Sequence, residues 1–430
     1  MSQSLLARSR GFRLFWGGRT VSLAGTQIAR VALTVLVYRL GGGAAGISIL
    51  LLAFTLPRLL GPLAGAIADR SDNMRLMVSC DLAQALLFAA LAWVRWWPAV
   101  VVLVLIATLF ATAYLPAGRG NIPLIVGREN LARANALLAT GSNTALAVGP
   151  ALGGILLAVG GPGLALIVNA GTFLLSALLT LGIPGLRSGT GASRASARGA
   201  GASGAGASGA GASGAGASGA GHPVTLLGQA RLGLGDVWRN PVARTLAIML
   251  LPGVGFASLD NAALIFLVRQ GFHASAGTYA WVVTAFSAGM VGAPLAVSVM
   301  RRRLTPRALL FGGEGLFGVG TLATGLAPGL AAGIGAQLAA GAGNGMENIG
   351  VDTLLQESAP DERLGMVFGT VYAALYAGQI VAYAVATPVI VALGPRTTFV
   401  VAAVGVLAAL AVLIRMLPSP GASGEQSTPS

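Results

Sequence analysis

The sequence predicts an all-α membrane protein: twelve transmembrane helices arranged as two pseudo-symmetric six-helix halves. Three observations carry this expectation. The chain is 55% hydrophobic and 9% charged, against roughly 25% charged residues in a soluble domain, so lipid must solvate much of its surface. Twelve runs have the length and apolarity to cross a bilayer, which takes about 20 residues. The basic residues fall on alternate sides of those runs.

The twelve runs are Phe15 to Tyr38, Ala45 to Ala68, Leu76 to Val94, Ala99 to Gly118, Ala136 to Val159, Gly163 to Ile183, Ala243 to Val268, Gly277 to Met300, Pro306 to Leu326, Gly329 to Leu355, Leu364 to Leu393 and Thr398 to Leu417. Proline and glycine inside them are tolerated, because neighbouring helices can satisfy the freed backbone groups in lipid. The chain divides accordingly into an N-terminal half at 1–186, a linker at 187–242, a C-terminal half at 243–417 and a tail at 418–430. At 189–221 the linker is almost pure Gly, Ala and Ser, and is expected to be disordered; a tolerated loop expansion accounts for it. The stretch Val224 to Trp238 is mildly amphipathic and suits a membrane surface. The halves also resemble each other: shifted onto one another, Ala45 and Gly46 meet Ala276 and Gly277, Gly61 meets Gly292, and Arg70 meets Arg301.

All 27 basic residues are arginine. With the N-terminus in the cytoplasm, twenty fall in cytoplasmic segments, and Arg39, Arg95, Arg269 and Arg396 fall outside. Arg19, Arg30 and Arg58 lie within helices. This positive-inside bias puts both termini in the cytoplasm of a cell (inner or plasma) membrane. It also accounts for the formal charge of +14 without a nucleic-acid partner. A chain with no lysine lacks the phosphate-binding lysine of a P-loop and any Schiff-base amine. Cys80 is the single cysteine, and His222 and His273 stand far apart without ligand-like neighbours. No metal site, cofactor or nucleophile–base set is expected, and an enzyme is the least favoured class.

The loop after the second helix carries Gly65, Asp69, Arg70, Asp72 and Arg75. This pattern resembles the loop 2–3 signature of the major facilitator superfamily. A tight turn lets helices 2 and 3 pack closely, and the resemblance implies a latch in which Asp69 meets an arginine or helix N-terminus of the other half. Arg119 and Asp352, near the inner surface, are counted with that latch; a simple positive-inside turn is the alternative. Helix 5 carries Gly149, Pro150, Gly153 and Gly154, which resembles the antiporter motif of the exporter branches, with Ala136 and Ala145 where the fuller motif has glycine. Ordinary small-residue packing is the alternative. Further stretches, Phe15–Trp16–Gly17–Gly18, Leu56 to Pro62, Glu129 to Ala136 and Leu355–Gln356–Glu357, are similar to the branch containing macrolide and enterobactin exporters. The resemblance implies alternating access by two halves around a midplane cavity.

A charge at membrane depth costs at least about 2.5 kcal/mol, which makes each one a functional candidate. The first half places Arg30 and Arg58 there, with Asp81 lower in helix 3; the second places Asp260, Glu314, Glu347 and Asp352. A cavity between them suits an ion pair or zwitterion, or the charges pair across it. In helix 10, Asn344, Glu347, Asn348 and Asp352 share one face, as a substrate or proton site or as gating hydrogen bonds. Asp260 and Asn261 follow the bend expected at Pro252 and Gly253; Asp260 is a candidate proton carrier, or else a partner of Arg30 or Arg58. Tyr372, Tyr376 and Tyr383, with Gln379, form a stripe on helix 11 that suits packing or ring stacking.

The expected function is secondary export of a small molecule, such as a drug, antibiotic or siderophore, coupled to protons, by a monomer embedded in the lipid bilayer. The alternatives are a proton-symport importer of a small solute and a non-transporting sensor or scaffold of the same fold.

Overall fold

The computed structural model describes residues 5–183, 234–299, 304–359 and 364–417. The Gly/Ala/Ser segment at 189–221, the triplet Arg301, Arg302 and Arg303, and the tail at 418–430 lie outside the described residues, as does 224–233 of the amphipathic stretch. Among the described residues all regular structure is helical. Helix α1 is Arg10–Arg39. Helix α2 joins Gly43–Thr55, a 3-10 turn at Leu56–Leu60, and Gly61–Arg70. Helices α3 and α4 are Asn73–Leu91 and Trp97–Val126. The run Leu131–Leu181 breaks at Gly161 into α5 and α6. Helices α7 to α10 are Pro241–Phe266, Tyr279–Val299, Pro306–Leu326 and Leu330–Ser358. The run Leu364–Met416 breaks at Gly394 into α11 and α12.

These helices overlie the twelve expected runs. Nine helical stretches among the described residues are long and apolar enough to cross a membrane. Two of them are the broken double runs; α10, rich in glycine with Gln337, Asn344, Glu347 and Asn348, is not among the nine. One boundary differs: α4 continues past the expected end at Gly118 to Val126, so Arg119 sits on a helix rather than in a loop. The helix stops where Gly127 takes φ 75°, a left-handed value that favours glycine.

The double runs break for a stated reason. Gly161 has φ 71° and Gly394 φ 76°, and each is followed by a proline, Pro162 and Pro395. A left-handed glycine ends one helix, and the proline, which needs no N–H donor at the first turn, starts the next. The same pair at the same place in both halves bears out their internal symmetry. Capping repeats it. Ser9 Oγ accepts from Phe12 N (3.1 Å) at the start of α1, and Asn240 Oδ1 accepts from Val242 N and Ala243 N (both 3.0 Å) at the start of α7. Asp72 Oδ1 accepts from Met74 N (3.0 Å) before α3, and Thr305 Oγ1 from Ala308 N (3.2 Å) before α9. Each cap satisfies an orphan donor at a helix start.

Helix association in lipid rests on close packing of small residues. A Cβ on Gly341 of α10 would overlap the Phe286 carbonyl of α8, and one on Gly345 would overlap that of Met290. In α9, a Cβ on Gly320 would fall 2.6 Å from Ala340 N. The obstructing atoms are backbone, so they cannot rotate away. Gly341→Ala is therefore expected to cost about 1–3 kcal/mol or more, read as a lowered thermal midpoint of the purified protein; an unchanged midpoint would contradict this packing.

One apolar cluster draws on both halves. It runs through Ile28 to Val37, Ile47 to Ala53, Leu259 to Val268, Ala276 to Val282 and Ala382 to Ile390, all at the membrane face opposite the termini. On the face bearing the termini, a second cluster (Phe12, Phe15, Met77, Ile122) belongs to the first half alone, and a third (Leu246, Leu310, Leu355, Val371) to the second half alone. The halves are thus joined at one end and part toward the other. At the junction, Tyr38 packs edge-on against Phe266 at 5.6 Å, Thr387 Oγ1 donates to Ser48 Oγ at 3.1 Å, and Gly154 of α5 lies against Ala280 of α8.

Candidate functional site

The parting between the halves collects the polar residues of one group at mid-depth. In α2, the 3-10 turn that begins Leu56–Pro57 carries Arg58, whose Cζ lies 5.7 Å from the centre of the Tyr376 ring on α11. This contact crosses between halves. In α1, Arg30 lies 5.3 Å above the Phe54 ring, and its electrostatic neighbours are Arg58, Tyr279, Tyr376 and Tyr383. Arg30 Nε is buried with no hydrogen-bond partner. Gln379, half-buried, follows Tyr376 along α11.

Asp260 of α7 is 5% exposed. Its neighbours are Tyr279 and Tyr383 rather than an arginine, and the adjacent Asn261 is exposed. The expected alternative, a direct pair between Asp260 and Arg30 or Arg58, is not formed among the described residues; the acid and the cations share Tyr279 and Tyr383 as neighbours.

A second group lies inside the C-terminal half. Glu347 of α10 and Glu314 of α9 are both buried, and their carboxyl groups stand within hydrogen-bonding reach of one another. Asn344 supports Glu347 from the preceding turn, and Asn348 Nδ2 donates to Asn344 Oδ1 at 3.2 Å. Glu314 Oε1 also reaches toward Gly253, at the bend after Pro252 in α7. The shared face expected on α10 therefore divides. Glu347 looks to α9, whereas Asp352 accepts a 2.7 Å hydrogen bond from the Tyr372 hydroxyl of α11. In this conformation Asp352 thus ties two helices of its own half. In sequence, Glu314 is one more acid at membrane depth. Its pairing with Glu347 depends on the close approach of α9 and α10, which Gly313, Gly320, Gly343 and Gly350 permit; that run of facing glycines is the signal that could have found it.

The loop after α2 is a tight turn, with Asp72 capping α3. Arg70 and Arg75 are exposed, and a Cβ on Gly65 would meet nothing within 4 Å. The Asp69 side chain lies outside the described residues. Arg119 is exposed on α4, with Arg19 and Tyr376 as neighbours. In the first half, Asp81 is 1% exposed, with the Ser176 hydroxyl as its polar neighbour; it is the one buried acid there among the described residues.

Gly149, Pro150, Gly153 and Gly154 are all buried in α5. A Cβ on Gly149 would come within 2.5 Å of Gln27 Cβ, and one on Gly153 within 3.3 Å of the Ile28 backbone. One on Gly154 would come within 2.8 Å of Ala280 Cβ. This stretch presses α5 onto α1 and, at its upper end, onto α8 of the other half.

Comparison with known proteins agrees with this architecture. The model of the Major Facilitator Superfamily matches residues 15–267 and, overlapping it, 253–430. The chain is 25% identical over 402 residues to "Uncharacterized MFS-type transporter YfiS" of Bacillus subtilis, covering 89% of this chain and 88% of that protein. It is 28% identical over 389 residues to "Multidrug efflux pump Tap" of Mycolicibacterium fortuitum, covering 87% and 88%. In fold it is similar to the nucleoside transporter NupG, with a TM-score of 0.68 at 13% identity over 95% of this chain and all of that one. It is also similar to a bacterial homologue of the iron transporter ferroportin in an inward-facing state, with a TM-score of 0.66 at 15% identity over 97% of this chain and 100% of that one.

Proposed function

Since the chain belongs to the Major Facilitator Superfamily, a family of membrane transporters rather than enzymes, we propose that it exports a small molecule from the cell in exchange for protons. The observation that carries this reading is the parting of the halves on one face only, with side chains of both halves meeting where they close. Such a layout serves alternating access: the halves rock about the midplane, exposing one central site to each face in turn. The positive-inside bias supports an open face and both termini on the cytoplasmic side of the plasma membrane. A site enclosed within one chain needs no second copy, so the transporting unit is a monomer. Its two moving bodies are 1–186 and 243–417, tethered by 187–242, with 418–430 as a cytoplasmic tail.

Export is favoured over import by two features. The small-residue stretch from Gly149 to Gly154 presses α5 onto both α1 and α8, where a rocking motion must slide. A relative over most of the chain is an efflux pump by name. Proton exchange rests on the dry carboxyls. Glu347, with Glu314 facing it, and Asp260, beside Tyr279 and Tyr383, are buried acids that can bind a proton in one conformation and release it in the other. Gly65, Asp69, Arg70, Arg75, Arg119 and Asp352 latch one conformation at the cytoplasmic face.

The test uses everted vesicles from cells expressing the chain, with a pH-sensitive dye reporting an imposed gradient. Addition of a transported compound is expected to release protons and partly collapse the gradient. Pooled drugs, siderophores and organic anions locate the class. Compound accumulation in the same direction as the protons would instead establish the importer reading. Tight binding without any flux would establish the sensor.

A further inference from the structure

Among the described residues, two charges at the parting of the halves, Arg30 and Arg58, share one sign and show no acidic partner. Arg30 and Arg58 are half-buried there, and they are each other's neighbours. Each guanidinium has an aromatic ring against it, Phe54 and Tyr376 respectively. Among the described residues no carboxylate is a neighbour of Arg30, and its Nε is buried and unpartnered. The acids of the opposite half do not offset this charge. Asp260 is buried beside Tyr279 and Tyr383 and forms no pair with either arginine, Glu314 and Glu347 face each other inside their own half, and Asp352 holds Tyr372.

Two like charges held together at membrane depth without a counter-charge are costly, and such a cost persists in a fold where a ligand relieves it. A guanidinium presents a planar fork of donors that matches an oxyanion. The aromatic ring beside each guanidinium, Phe54 for Arg30 and Tyr376 for Arg58, adds a cation–π contact that helps to position it. We infer that the parting binds an organic anion, with a carboxylate, sulfonate or phosphate seated between Arg30 and Arg58 and an aromatic or apolar body against Tyr279, Tyr376 and Tyr383. This rests on the reading of the parting as the transport pathway and assigns that pathway a substrate class.

The test reads binding alone, so it is independent of direction and of coupling. The full chain is placed in phosphatidylcholine nanodiscs. Unfolding is followed with a thiol-reactive dye, since Cys80 is the sole cysteine and is buried. Three probes share one ring system and differ in charge: 1-naphthoate, 1-naphthylmethylammonium and 1-naphthalenemethanol. Naphthoate is expected to raise the unfolding midpoint with concentration, and the other two are not. Arg30→Gln and Arg58→Gln should each raise the half-saturating naphthoate concentration about tenfold or more. Without ligand, each variant should unfold no earlier than wild type, because it loses an uncompensated charge; arginines with a merely structural role would give a lower midpoint. Stabilisation by the ammonium but not the carboxylate overturns the inference. So does an unchanged response in both variants, or no response to naphthoate up to its solubility. If phosphatidylglycerol in the disc raises the midpoint and abolishes the naphthoate response, the site holds a lipid headgroup and the inference also fails. Binding of naphthoate by a protein that then fails to move protons in vesicles would sink the exchange reading while leaving the anion site in place.

Discussion

Glu347→Gln is expected to lower uphill, gradient-driven transport by about a hundredfold while exchange of substrate across the membrane without a gradient continues. Glutamine keeps the length and hydrogen-bonding capacity of the side chain but cannot take up and release a proton. A loss confined to the driven mode therefore isolates coupling from packing. Glu314→Gln should produce the same split, since its carboxyl is the group that Glu347 faces, and Asp260→Asn tests the other dry acid. The measurement is labelled-substrate accumulation in everted vesicles with and without an imposed pH gradient, at matched amounts of membrane protein. If Asp260→Asn and Glu347→Gln both transport uphill at wild-type rates, the coupling scheme is wrong. If both driven and undriven modes fall together, the carboxyl pair holds the helices in place rather than carrying a proton.

Ser48→Cys combined with Thr387→Cys is expected to arrest transport on oxidation and restore it on reduction. The two native hydroxyl oxygens are 3.1 Å apart, one on α2 and the other on α11, at the face where the halves are closed. A disulfide there needs Cα atoms about 4.4–6.8 Å apart, a spacing compatible with side chains already in contact. Alternating access requires this junction to open in the other half of the cycle, so a covalent bridge holds the protein in the present conformation. The background is low, because Cys80 is buried and lies in the other apolar cluster, with Phe15 and Met77. Oxidation that forms the bridge yet leaves turnover unchanged would show that these ends never separate.

Much of the architecture was legible in the sequence, and the reason is local. Whether a stretch of about 20 residues can cross a bilayer depends on its own composition, and a helix in lipid satisfies its own backbone hydrogen bonds. The twelve spans and the division into halves were therefore written in residues close together along the chain. The break at Gly161–Pro162, repeated at Gly394–Pro395, is of the same kind. Extension of α4 to Val126 escaped because its last turns mix polar residues and prolines, which give no hydropathy signal.

The partners of the buried polar residues were not legible. Glu347 and Asp352 share a face of α10 by spacing, yet one meets Glu314 on α9 and the other Tyr372 on α11. Tyr372, Tyr376 and Tyr383 share a stripe of α11, yet they stand by Asp352, Arg58 and Asp260 respectively. Spacing fixes angles around one helix axis, but not which helix lies opposite or how deeply it sits.

The sequence by itself determined a twelve-helix membrane protein of two similar halves, because solvation by lipid acts on each segment separately, and its motifs carried the resemblance to a transporter family. Only the tertiary structure decided which end of the pathway is shut, that Arg30 and Arg58 meet the parting without an acid, and that Asp260 stands apart from them. Those outcomes depend on how two six-helix bodies pack against each other, and the energy of such contacts belongs to pairs of residues hundreds of positions apart in the chain.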